Sequence, residues 1–346
     1  MKKVAVVVLS YDNAIKYADF LYPSLMSQTF TDFDIFLFDN HSTNHVGKQI
    51  KAKYPQINII RIKKNKGIGH ALNYAVRLLN YSFIALLNDD VYVNETFLES
   101  LVNSMQRSEK IALVNPKILF WDEPDYINAA GVTMSFFGIG FHNEIFEKNV
   151  DNRIAERYVG AAQGAAMFTR RDLYLEIGGM DESYKFGGED LDFSWRTWLK
   201  GYRILYCPKA ILYHKIGVSI AEFIEFEREF ELIKNKLTTT LKNSNFLHLF
   251  FYSIISLLID FYSLKRSPKI KTKAIISAYK KILNSIDYIL KQRRKIQEGR
   301  KRADNQMVRH GFFLNIFDIL RLVYSRTSKN STKKDDLAKK FVYLPV

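Results

Sequence analysis

The feature that most constrains this chain is an alternation running through its N-terminal half. Short β-rich apolar runs at Val4–Leu9, Asp34–Phe38, Ile57–Ile62, Phe83–Leu87 and Ile111–Val114 are separated by stretches of helical periodicity. Tyr17, Leu21 and Leu25 make one such stretch, and Leu72, Ala75, Val76 and Leu79 another. Strand and helix in alternation predict an α/β fold, a parallel sheet with helices on both faces. Ligands of such sheets bind beyond the carboxyl ends of the strands. Polar residues stand where these runs stop: Ser10, Tyr11 and Asp12; Asp39 and Asn40; Asn88, Asp89 and Asp90. The site is expected there.

The rest of the chain reads differently. Between Phe120 and Gly217 glycine-rich turns, Gly164 among them, alternate with short strand candidates and predict a part that shapes an acceptor pocket. From about Ala221 the composition turns helical, so the expected division is 1–220 for a catalytic domain and 221–346 for a basic, amphipathic helical region. The net charge of +15 belongs wholly to the end of the chain. Residues 265–346 hold 22 Lys and Arg against 6 Asp and Glu, whereas the first 264 hold 29 against 30. A neutral body argues against a nucleic-acid enzyme, whose catalytic surface should itself be basic. The basic end suits an anionic membrane surface or a solvated tail. The single cysteine, Cys207, excludes an internal disulfide and fits a reducing compartment. The run Val4–Leu9 is too short for a signal sequence and reads as a buried strand.

The stretch Phe246–Leu264 is apolar enough to suggest a membrane span. Ser253, Ser256, Asp260 and Ser263 cut a polar stripe through it, and an ionisable Asp in a lone span is costly. Two amphipathic patterns follow, Ile275, Tyr279, Ile282, Ile286 and Ile289, then Phe313, Ile316, Phe317, Leu320 and Val323. Apolar faces with a basic fringe lie in a membrane interface, pack together as a helical domain, or pair two copies as a homo-oligomer. The first reading places the protein in the cytoplasm, peripheral to the inner face of the cell membrane.

Several constellations carry chemistry, each with a plainer reading beside it. Asn88-Asp89-Asp90 ends an apolar strand, and two carboxylates there suit Mg²⁺ or Mn²⁺ bridging diphosphate oxygens. The same turn also suits a cap for a helix around Glu95–Ser104. His214 follows the strand candidate Ile211–Tyr213, where a neutral imidazole either completes a metal sphere or sits in a core. Glu189-Asp190 lies in a glycine-rich loop and opens a helical run, a setting for a general base or simply for offsetting the helix dipole. Asn65, Lys66 and Gly67 precede a helix over His70–Leu79 and read as a diphosphate site at a helix N-terminus, or as a capped turn. Trp195 either stacks on an acceptor sugar or packs in the core, and core packing is the default for Trp198.

The order of these motifs is more telling than any one. VVVLSYDN, LFDNHSTN, NKGIGHALNYA, LLNDDVYV, GGMDESYKFGGEDLDFSWR and LYHKIG together resemble the family 2 glycosyltransferases, in particular their rhamnosyltransferase-like members, over roughly residues 3–245. The resemblance implies a GT-A fold with a mixed, mostly parallel nucleotide-sugar-binding sheet, and inversion at the transferred carbon. It implies Asp90 and His214 as metal ligands, with Asn88 or Asp89 touching ribose or phosphate. The family's usual Asp-x-Asp begins here with Asn88, which leaves the first ligand open. Asp190 takes the role of base, with Glu189 and Asp192 as positioning groups and Trp195 near the acceptor. Asp39 faces a pyrimidine, and Ser10, Tyr11 and Asp12 line the base pocket. The donor implied is a nucleotide diphosphate sugar, dTDP-rhamnose or a UDP-linked sugar, and the acceptor a glycan or lipid-linked glycan of the cell surface.

Three rivals fit less well. A sugar-nucleotide pyrophosphorylase needs a glycine-rich basic loop after the first strand, where this chain has Ser10-Tyr11-Asp12-Asn13. A non-catalytic glycan- or nucleotide-sugar-binding protein would lack the acids. A processive synthase needs several spans.

Overall fold

The computed structural model describes residues 3–150, 155–215, 225–263 and 268–314. Strand β1 (Val4–Ser10) is flanked in parallel by β2 (Phe33–Asp39) and β4 (Phe83–Asn88), with β3 (Asn58–Arg61) outside β2. Helices α1 (Ala14–Met26), α2 (Val46–Lys53) and α3 (Ile68–Leu78) connect them. Strict period-2 alternation sorts β1 between two cores. Val4, Val6 and Val8 meet Ala18 and Leu21 of α1, together with Leu98 and Leu101 of α4 (Phe97–Gln106). Ala5 and Val7 meet Leu72 and Val76 of α3, together with residues of α5 (Arg171–Ile177) and α6 (Glu189–Leu199). Both faces of the sheet are therefore covered, as the apolar runs require.

The sheet is mixed. Strand β11 (Ala166–Arg170) runs antiparallel between β4 and β6 (Ile111–Phe120), and β12 (Arg203–His214) pairs in parallel with β6. Short strands complete it: β5 (Val91–Val93) and β10 (Arg157–Tyr158) on β12, and β7 (Ile127–Ala129) on β6. A small sheet joins β8 (Val132–Ser135), β9 (Gly140–His142) and, later in the chain, β13 (Phe313–Leu314). Strand β6 continues six residues past its expected end at Val114, through Pro116. Proline has no amide to give a ladder, and the pairing adapts: after Cys207 opposite Pro116, the register on β12 skips to Ile211 opposite Lys117.

The helical region comprises α7 (Glu225–Asn243), α8 (Phe246–Ser263), α9 (Pro268–Asn284), α10 (Ile286–Glu298) and α11 (Asp304–Arg309). Ile233 and Leu237 of α7 pack with Ile275, Ala278 and Ile282 of α9 and Ile289 of α10. The expected boundary at 220/221 lies outside the described residues, as does the amphipathic pattern beyond Leu314. Helix α7 also grips the sheet-bearing body: Asn235 donates to the carbonyls of Phe186 and Gly187, and Lys242 pairs with Asp181. Among the described residues, no helix is long and apolar enough to cross a membrane.

Candidate active site

The strand ends bring together most of the polar residues singled out above. At the end of β1 the Ser10 hydroxyl, buried, donates to Asp89 and accepts from the amide of Ala14 at 3.1 Å. Asp12 ties the loop after β1 to the loop after β2 by accepting from the Thr43 amide at 2.7 Å and its hydroxyl at 3.1 Å. Tyr11 stands 41% exposed beside them, free to meet a ligand. Asp39 is buried with both oxygens engaged, one by the Ser42 amide at 2.7 Å and one by Arg61 at 2.6 Å. A pyrimidine contact there would have to share the carboxylate with Arg61.

Asp90 differs from these. Its Oδ1 is buried and accepts no hydrogen bond, and it faces His214 Nε2 at 3.5 Å. The pairing of β5 with β12 sets Val91 opposite His214, and the amide of Lys215 donates to the Asp90 carbonyl, so the two side chains are held by backbone. His214 Nδ1 is also buried without a partner. Two ligand-type atoms facing each other with no hydrogen bond between them fit a shared hard cation. Among the described residues no three His, Cys, Asp or Glu side chains gather. A cation held by Asp90 and His214 would therefore take its remaining ligands from diphosphate and water, as Mg²⁺ characteristically does.

The acid pair lies at the start of α6. Gly187 and Gly188 have φ of +76° and +86°, a left-handed turn that swings the chain into the helix with Glu189 as its first residue. Asp190 accepts from the amides of Leu191 and Gly164, both at 2.8 Å. A Cβ on Gly164 would stand 3.1 Å from Asp190 Oδ2, so this glycine is the contact surface of the acid. The next residue, Ala165, accepts from the amide of Asn88 at 3.0 Å. Residues 164 and 165 thus join Asp190 on one side to the Asn88-Asp89-Asp90 corner on the other. Burial, and then the neighbouring Asp190, push Glu189 up to about 8. Burial also raises Asp190, against two backbone amides that favour its charge. Two adjacent buried acids share one charge more readily than two. Backbone amides favour the charge of both acids, and the charge of Asp190 adds to the burial that holds the proton on Glu189. Glu189 Oε2 is buried with no partner, whereas both oxygens of Asp190 meet backbone amides.

Three expectations need correction. Trp195 is fully buried, its ring packed on Phe136 and Phe313, and offers no face to an acceptor. Trp198 is core as expected, stacked on Phe312 with its Nε1 donating to the Gly160 carbonyl. Asp192 is fully buried too and its carboxylate is taken up by the chain: it pairs with Arg196 at 2.8 Å and Lys242 at 3.0 Å and accepts from Asn243. The third concerns the start of α3. Its first amide, Ile68, donates to the Lys185 carbonyl, and a Cβ on Gly67 would stand 3.0 Å from that same oxygen. Asn65 accepts from the Gly67 amide and from Asn40, and Lys66 is exposed. The helix end seats the acid loop in place of a diphosphate.

Sequence reasoning also missed two residues. The His142 ring has Nδ1 buried without a partner, and burial, against a hydrogen bond to the Asn128 backbone, pushes it down to about 4, with His214 close enough to lower it further. Asn128 is fully buried with neither side-chain polar atom paired. Both lie in the irregular middle of the chain, where nothing in the spacing marked them. His142 thus adds an unsatisfied ring nitrogen close to His214.

Known proteins resemble this chain in sequence and in fold. The sequence profile of Glycosyl transferase family 2 matches residues 5–176. An N-acetylglucosaminyl-diphospho-decaprenol L-rhamnosyltransferase of Mycobacterium tuberculosis is 25% identical over 233 residues, 61% of this chain and 75% of that protein. GalNAc-T7, solved with UDP, GalNAc and Mn²⁺, aligns at a TM-score of 0.61 and 14% identity over 83% of this chain, which spans 57% of that one. The mannosyltransferase PcManGT from Pyrobaculum calidifontis, in complex with GDP-Man and Mn²⁺, aligns at 0.51 and 12% identity over 86% of each chain. At such identities the two structures speak for the fold, which is GT-A.

Proposed function

From the premise that this chain belongs to glycosyl transferase family 2 and is a nucleotide-sugar glycosyltransferase, we propose that it is an inverting, metal-dependent enzyme that adds one sugar to a glycan or lipid-linked acceptor. The observation that carries this reading is the bridge of Gly164 and Ala165 between Asp190 and the Asn88-Asp89-Asp90 corner. It supports a base on one side and ligands for a leaving diphosphate on the other. Asp190 takes the proton of the acceptor hydroxyl as that oxygen attacks the anomeric carbon, and the diphosphate leaves from the opposite face. Glu189, protonated, donates a hydrogen bond within the same site. Mg²⁺ or Mn²⁺ held by Asp90 and His214 would supply the charge that neutralises the departing diphosphate. Ser10, Tyr11, Asp12, Asp39, Asn88 and Asp89 line the nucleotide side.

The mycobacterial L-rhamnosyltransferase supports L-rhamnose as the sugar and a polyprenyl-diphosphate-linked glycan as the acceptor, and a dTDP carrier rests on the motif resemblance alone. Mn²⁺ in the two structures of the same fold supports the metal. Such an acceptor places the reaction at the inner face of the cell membrane, in the assembly of a surface polysaccharide.

A thermal-shift screen of nucleoside diphosphates and their sugars, with and without Mn²⁺, tests the reading. One nucleotide is expected to raise the melting temperature only with metal, by the equivalent of about 2.7 kcal/mol at roughly 100 times its Kd. The Asp90→Ala variant should lose the metal dependence. A folded sample that responds to no nucleotide refutes the assignment.

A further inference from the structure

Helix α8 is amphipathic in the wrong sense for a helix facing water. Its polar column points inward: Ser256 is fully buried, and Asp260, also buried, pairs with Lys236 of α7 and accepts from the Tyr279 hydroxyl of α9. Two residues along, which is about 200° around a helix, an apolar column points outward. Phe246, Phe250, Ile254 and Leu258 recur every fourth residue and are 82%, 69%, 41% and 61% exposed. They line about 18 Å of helix. Soluble surfaces rarely carry a continuous apolar run of this kind.

The neighbouring helix adds charge. On α9, Ala274, Ile275, Ala278 and Ile282 are buried against α7, while Ile276 and Leu283 are exposed among exposed Lys269, Lys273 and Lys280. Lys269, Thr272, Lys273, Ile276 and Ser277 line a shallow groove there of about 520 Å³. Residues 246–284 hold seven Lys and Arg against one carboxylate, Asp260, and that one is buried against Lys236.

We propose that the outward faces of α8 and α9 form a docking surface for an anionic lipid bilayer. The aromatic and aliphatic column of α8 enters the boundary between headgroups and acyl chains, and the lysines of α9 meet lipid phosphates and carboxylates. Charge decides among the possible occupants. A second copy of the chain would bring the same exposed Lys269, Lys273 and Lys280 to the contact. Residues 315–346 of this chain, with seven Lys and Arg against three Asp, would also bring like charge. Only an anionic surface complements both the apolar column and the cations. The inference deepens the membrane-side reading above and rests on it for its purpose, since a surface-bound enzyme meets a lipid-linked acceptor in two dimensions.

The test is flotation of the full chain with phosphatidylcholine vesicles, with and without phosphatidylserine, at low and high salt. Binding is expected to the anionic vesicles and to fall with salt. Replacing exposed side chains keeps the fold, so Phe250→Glu with Leu258→Glu should abolish flotation, and Lys269→Glu with Lys273→Glu should weaken it about tenfold or more. Equal binding to neutral vesicles, or none to either, overturns the proposal. So does a dimer on size exclusion that the Phe250→Glu, Leu258→Glu pair dissolves, which would assign the face to a second copy. Flotation that appears only after truncation at Leu314 would assign it to the chain's own end. The nucleotide-dependent thermal shift separates the two readings. A parent chain that shifts but does not float loses the docking surface alone, and one that floats but never shifts loses the transferase reading alone.

Discussion

Asp192 and Asp90 are both buried aspartates, yet they are opposite kinds of residue. Asp192 meets Arg196, Lys242 and Asn243, and every demand of its charge is met by the chain. Asp90 has an oxygen that accepts nothing and faces an imidazole nitrogen at 3.5 Å. The same contrast divides the rest of the acids. Asp39 and Asp181 are saturated by Arg61 and Lys242, whereas Glu189 keeps an oxygen unpaired. Burying a polar atom without a partner costs free energy, so a fold keeps one only where something else will satisfy it. Saturated acids build the scaffold. Asp90 and Glu189 keep an oxygen open, and Asp190 meets backbone amides but no cation, so these three are the acids left for the proposed chemistry.

The sharpest way to test that division is at Asp190. Asp190→Asn keeps the size of the side chain and removes its capacity to accept a proton. Initial rates should fall about 10³-fold, which is about 4 kcal/mol of barrier, with the melting temperature and the nucleotide-dependent shift preserved. A folded variant that still transfers at the parental rate removes Asp190 as base and moves the role to another group.

The scaffold side predicts the reverse pattern. Asp192→Ala leaves Arg196 and Lys242 buried beside each other without their shared carboxylate. Breaking a buried pair of this kind costs about 3–5 kcal/mol, read as a lower urea midpoint with an unchanged slope. Asp90→Ala removes a carboxylate the fold does not use and should leave the midpoint near the parental value. Two variants with equal midpoints would dissolve the distinction between saturated and unsaturated acids.

How far the sequence carried this picture depends on the range of the signal. The parallel strands were legible because apolar runs and helical spacing are local, and β1, β2 and β4 lie within a residue of their expected bounds. Strand β6 was read short because its apolar run stops at Asn115, and the register skip that carries the ladder past Pro116 lies on β12, about ninety residues away. At the site, strand-end position identified Ser10, Asp39 and Asp90, but could not say which carboxylates find partners. Asp192 lies two residues from Asp190, yet its carboxylate is taken up by a lysine 50 residues further on. The start of α3 resembled an anion site for the same reason: the Lys185 carbonyl that fills it is 117 residues distant from Ile68. In α8 the polar stripe was visible, but only packing against Lys236 shows that it faces inward.

The smallest effect concerns the proton on Glu189 and is a matter of sign. In the folded chain Glu189 holds its proton up to about pH 8, against an ordinary carboxyl value of 4.5. Between those values the unfolded chain has released a proton that the folded chain still binds, so this residue's contribution to stability declines as pH rises through the window and levels off above it. Gln cannot ionise and carries no such slope. Glu189→Gln should therefore gain on the parent from the acid to the alkaline end of the window, followed by urea denaturation at a series of pH values. It should also keep more of the transfer rate than Asp190→Asn, since an amide still donates a hydrogen bond. Parallel stability curves for parent and variant would mean that Glu189 is already ionised in the fold, and the shared proton of the acid pair would then have to sit on Asp190, where it would silence the base.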